Sequence, residues 1–95
     1  MDNKSLKCIL VNEFDYPSFM VDGVIEKING FSKELLKAFE VFLTSGTLPE
    51  ITYKGYTVRK LIDEMDMVAV GAFLTMDALM KDPEETMKML EYGIR

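Results

Sequence analysis

The chain has no histidine, no tryptophan and a single cysteine, Cys8, among its 95 residues. Without histidine there is no Ser-His-Asp or Cys-His nucleophile, no His-containing zinc site, and none of the commonest acid–base catalyst. One thiol closes no internal disulfide and builds no thiolate zinc site. Cys8 lies inside the apolar run Leu6–Val11. It therefore reads as a buried, inert thiol, because a reactive one needs an exposed, electropositive setting. The glycines (Gly23, Gly30, Gly46, Gly55, Gly71 and Gly93) are scattered, which excludes a glycine-rich phosphate loop.

Long apolar runs are also missing. No stretch approaches the roughly 20 residues that cross a bilayer. The start, MDNKSLKCILVNEF, is too short in its apolar part for a secretory leader. The expectation is a cytoplasmic protein with no membrane partner. Basic residues are outnumbered, 11 against 16 acidic ones, for a net charge of -5. That balance disfavours non-specific nucleic-acid binding, which needs a basic surface.

What is present suits one domain spanning residues 1–95. The expected fold is mainly α: a small helical domain of about five helices with two short β-strands or a minimal β-hairpin. No internal repeat is read. Leu6–Val11 suggests a strand, with a short helix as the alternative that periodicity does not separate. After Asp15-Tyr16-Pro17, Ser18 is placed as a helix cap, with Met20, Val24 and Ile28 on one face and Asn29-Gly30 as the stop. Ser32 opens a helix over about 33–45 with Leu35, Ala38, Phe39 and Phe42 inward, ended by Gly46. Ile51-Thr52-Tyr53 reads as a strand and Lys54-Gly55 as a tight turn. Thr57 caps a helix with Val58, Leu61, Ile62 and Met65 inward. Asp66 caps the next, over about 67–81. Asp82-Pro83-Glu84-Glu85 starts the last, by cap, proline at the first position and acids at the positive end of the helix dipole.

The carboxylates give no site by pattern. Asp63, Glu64 and Asp66 lie close in sequence but lack calcium-loop spacing. They read as solvent-facing residues and a cap. No catalytic, cofactor-binding or metal-ligating residue is assigned, and the chain is not read as an enzyme.

The stretch Thr57–Met76 has the rhythm of a helix-turn-helix, with Leu61, Met65, Met67 and Ala72 at its apolar positions. Its second helix presents Val68, Ala69, Val70, Phe73 and Leu74, and has no Arg, Lys, Asn or Gln before Lys81. A helix without those donors reads bases poorly.

The surplus in this region is apolar. Six of the eight methionines fall between Met65 and Met89, and methionine suits adaptable contacts as well as cores. Val68, Ala72, Met76 and Leu79 form one stripe. Val70 and Leu74 fall on the other side, with Asp77 and Lys81. Val70, Leu74, Asp77, Met80 and Met87 are the candidate partner-binding residues, with Gly71 allowing a close approach. The function read from this is a non-catalytic protein-interaction module with a protein partner, a homodimer being the simplest assembly. The alternative is an acidic inhibitor of a nucleic-acid-binding protein. A helix-turn-helix transcriptional regulator comes third.

Overall fold

The computed structural model describes residues 2–93. It is a small, mainly α protein with six α-helices and one two-stranded antiparallel sheet. Its contacts divide into two compact units, one ending at Phe31 and the other beginning at Ser32. None of its helices is long and apolar enough to cross a membrane, among the described residues.

The first unit is a helical hairpin of α1 (Asn3–Asn12) and α2 (Ser18–Asn29). The strand expected over residues 6–11 is therefore a helix. Asp2 caps it: its carboxylate accepts from the Ser5 amide at 2.8 Å and from the Ser5 hydroxyl at 3.1 Å. The buried residues are Leu6 and Leu10, four apart, which is the helical and not the strand period. Cys8, expected to be buried, is exposed. In α2 the buried set is Val21, Val24, Ile25 and Ile28, an i, i+3, i+4, i+7 stripe. Met20 faces outward instead. Ser18 lies within the first turn rather than capping it, and Pro17 takes the cap position with no side-chain hydrogen bond. The stop at Gly30 is right-handed, with φ -88°. The Asn29 side-chain amide donates to Asn3 at 3.2 Å, and Lys7 pairs with Asp22 at 3.9 Å. Exposed pairs of that kind contribute little.

The second unit begins with α3 (Lys33–Ser45), where Ser32 accepts from the Leu35 amide at 3.2 Å. Leu35 and Phe39 are buried, and Gly46 ends the helix at φ 76°, a left-handed value suited to glycine. Strands β1 (Thr52–Tyr53) and β2 (Tyr56–Thr57) pair in the register Thr52↔Thr57 and Tyr53↔Tyr56. Both turn residues have positive φ, 52° at Lys54 and 84° at Gly55. Two-residue turns of this hand match the strand twist. Thr57 then caps α4 (Val58–Asp63), accepting from the Lys60 amide at 3.0 Å.

Helix α5 (Ala69–Lys81) is central to this unit and packs against α3, α4 and β1, and against α6 (Pro83–Lys88). Val70, Ala72, Phe73, Met76 and Leu79 are all fully buried. Phe73 meets Phe39 edge to face at 5.0 Å and Phe42 at 5.6 Å, arrangements favoured by the ring quadrupole. Asp82 caps α6, with Pro83 at its first position. The helix passes into a π-helical turn over Met89–Gly93. Two expectations fail here. Helix α5 starts at Ala69, and Asp66 does not cap it but occupies the preceding turn with φ 58°. Val68, placed on the inward stripe, is 67% exposed.

The ends of α1 and α4 are built alike. The sequences Leu10-Val11-Asn12-Glu13-Phe14-Asp15-Tyr16 and Leu61-Ile62-Asp63-Glu64-Met65-Asp66-Met67 correspond position by position. Glu13 and Glu64 close their helices by donating to the Ile9 and Lys60 carbonyls, at 2.9 and 2.8 Å. Asp15 and Asp66 turn left-handed, at φ 56° and 58°, a conformation that aspartate tolerates better than most residues. Tyr16 and Met67 then reach back to the Leu10 and Leu61 carbonyls, both at 3.1 Å. The next helix starts three residues after each aspartate, at Ser18 and Ala69. The sequence reading, which found no repeat, missed this pair. Only Leu, Glu and Asp are identical between the two stretches, too little for a residue pattern alone.

Candidate interaction surfaces

The five residues expected to meet a partner divide by burial. Val70 has no exposed surface, so its side chain belongs to the core and not to a docking face. Asp77 is nearly buried and accepts from Lys81 at 3.1 Å, one helical turn on. Leu74, Met80 and Met87 are half-buried and keep part of their surface in water. The outer side of α5 adds Gly71, half-buried, and Ala78, exposed. A Cβ at Gly71 would meet only Val68 Cγ2, at 3.5 Å, which is ordinary contact.

Other apolar side chains are far more open. Met89 is 56% and Tyr92 80% exposed at the end of the second unit, and Val68, in the turn before α5, is 67% exposed. In the first unit, Phe19 is 85% exposed at the start of α2, next to Met20. The sequence reading had not singled out Phe19. The available signal was the helical period, because Phe19 falls off the stripe formed by Val21, Val24, Ile25 and Ile28.

Each unit also carries a groove. One, of about 460 Å³, runs along α1 and α2 between Lys7, Asp22, Ile25 and Glu26. The other, of about 260 Å³, is lined by Ala38 and Val41 of α3 and by Leu48, Pro49 and Ile51. Glu34, Lys37 and Thr47 complete its walls.

The helix-turn-helix element offers little to a base edge. On the outer side of α5, the Thr75 hydroxyl donates to the Gly71 carbonyl at 2.8 Å and lies 3.6 Å from the Met67 sulfur. Val68, Leu74 and Ala78 carry no donor. Asp63, Glu64 and Asp66 do not converge; among the described residues no three potential ligands lie close enough to hold a metal ion.

The hairpin has a different character. Ile51–Ile62 carries Lys54, Arg59 and Lys60 and no acidic residue. Tyr53 and Tyr56 face each other across the strands, so their side chains leave the same face. The Lys54 ammonium lies 5.8 Å from the Tyr53 ring centre and the Lys60 ammonium 5.1 Å from that of Tyr56. Two side chains elsewhere titrate unusually. Hydrogen bonds from the Ser5 amide, then the Ser5 hydroxyl, hold the Asp2 carboxyl below its usual value, and burial pushes the Tyr16 hydroxyl up.

Comparison of the chain with known protein families, with curated proteins and with solved structures gives no match.

Proposed function

We propose that the protein is a non-catalytic interaction module of the cytoplasm, a small adaptor or regulator that binds another protein or a second copy of itself through apolar helical surface of the second unit. One observation carries the reading: Met89 and Tyr92 stand largely in water, beyond the half-buried Met87, at the end of the second unit. Apolar side chains that join into a contiguous exposed patch mark an interaction site. Methionine adapts to varied partner shapes. Leu74 and Met80 extend the same chemistry to α5 at half exposure.

The test is capture of the tagged protein from lysate of its source cell, with and without nuclease, alongside the variant Leu74→Glu/Met87→Glu. A protein retained by the wild type after nuclease and lost from a variant that melts normally supports the reading. Retention by both moves the binding surface elsewhere. Capture that vanishes with nuclease overturns the reading in favour of nucleic acid. If only the chain itself returns, sedimentation of wild type and variant decides whether a homodimer is the assembly.

A further inference from the structure

We propose that the hairpin face formed by Tyr53, Lys54, Tyr56 and Lys60 docks a short acidic segment of a partner protein. The inference deepens the interaction-module reading and rests on it. In a chain with a net charge of -5, this stretch carries three cations and no acid. Among the described residues, no carboxylate pairs with Lys54, Arg59 or Lys60.

Two of the cations, Lys54 and Lys60, also lie against aromatic rings. Tyr53 and Tyr56 are cross-strand partners on one face of the hairpin, and an ammonium group lies over each ring, that of Lys54 over Tyr53 and that of Lys60 over Tyr56. The Lys60 ammonium is anchored further, 3.5 Å from the Gly55 carbonyl. An ammonium has three donors, so a ring contact and one carbonyl leave donors directed outward. A lysine already ordered on a ring loses less freedom on meeting a carboxylate than a free one. The turn beneath is tight, and Thr57 fixes the start of α4 that delivers Lys60.

A short acidic peptide fits this face better than a nucleic acid does. Few cations give few phosphate contacts, and affinity for a polyanion grows with their number. The remaining surface, net acidic, repels an anion that runs past the patch. The adjoining α5 brings no Arg, Lys, Asn or Gln before Lys81, and those are the main base-reading side chains.

The test uses the full chain and a fluorescein-labelled peptide of alternating glutamate and serine, read by anisotropy. Saturable binding is expected, weakening roughly tenfold between about 50 and about 200 mM salt. It should fall at least roughly fivefold in Lys54→Glu/Lys60→Glu and persist in Lys27→Glu/Lys33→Glu, which makes the same change of charge elsewhere. Should the first variant fail to fold, Lys54→Gln/Lys60→Gln replaces it, with a smaller drop in the same direction. No saturable binding at low salt, equal loss in both charge-reversal variants, or tighter binding of a labelled oligothymidylate each overturns the proposal. These results leave the α5–α6 surface untouched, because the capture with Leu74→Glu/Met87→Glu scores it separately.

Discussion

Phe73 on α5 and Phe39 on α3 meet edge to face, with ring centres 5.0 Å apart and planes inclined at 66°. Both side chains are almost completely excluded from water. The pair is the aromatic centre of the second unit. Truncation removes the transfer free energy of a ring and leaves a cavity that helices on several sides cannot all fill. We expect Phe73→Ala to lower the unfolding free energy by about 3–5 kcal/mol, a large share of the total for a chain this small. Phe73→Leu should cost less. Urea denaturation of the two variants checks both magnitude and order.

Asp77 is the nearly buried carboxylate of the same helix, and its side chain is 12% exposed against 57% for Lys81. Lys81→Met keeps the aliphatic stem and removes the cation, leaving the carboxylate without its counter-charge. A loss of about 1–2 kcal/mol is expected, more than an exposed pair gives. A loss no larger than that of an exposed pair, in the same denaturation experiment, would show that solvent reaches Asp77 freely.

The matched turns make a paired prediction. Asp15 and Asp66 both hold left-handed backbone, which costs an L-residue energy that glycine avoids. Asp15→Gly and Asp66→Gly should therefore each be neutral or stabilising by up to about 1 kcal/mol. Asp66→Val, β-branched, should destabilise by about 1–2 kcal/mol. Thermal melts of the three variants suffice, and a difference in sign between the two glycine variants would show that the turns are not equivalent.

Acid acts on the first turn of α1 through Asp2. The Asp2 carboxyl is held below its ordinary value of 3.8 by the Ser5 amide, then by the Ser5 hydroxyl. A depressed carboxyl contributes stability that is complete above its ordinary value and is lost as pH falls through the lower folded one. The first turn of α1 should loosen only in that acid range, seen as faster exchange of the Ser5 amide. In Asp2→Asn the exchange should show no such pH step.

Much of the fold was legible because its signals are local. Ser32, Thr57 and Asp82 each cap the helix they precede, Gly46 stops α3, and Lys54-Gly55 turns the hairpin, all by the chemistry of one or two residues. The first helix was harder to read. Its apolar run is short enough to suit a strand, and the deciding feature is the Asp2–Ser5 bond, outside that run. Asp66 misled for a related reason: aspartate serves both as a cap and as a left-handed turn residue, and only the Met67–Leu61 hydrogen bond separates the two. The candidate site was legible in kind more than in position. The helical period placed Val70 opposite the inward stripe, but a central helix is covered on several sides, and the outward residues turned out to be Val68 and Leu74 with the terminal Met89 and Tyr92.

The outward position of Cys8 on α1 bears on every association measurement. As the only sulfhydryl in the chain, it offers a single attachment point for a maleimide dye, well removed in sequence from the hairpin and from α5. An exposed thiol can be oxidised by air to a disulfide between two chains, and such a covalent pair would imitate a dimer on a sizing column. Association should therefore be measured with reductant present or with Cys8→Ser, and the dye-labelled protein gives a uniform population for single-molecule work.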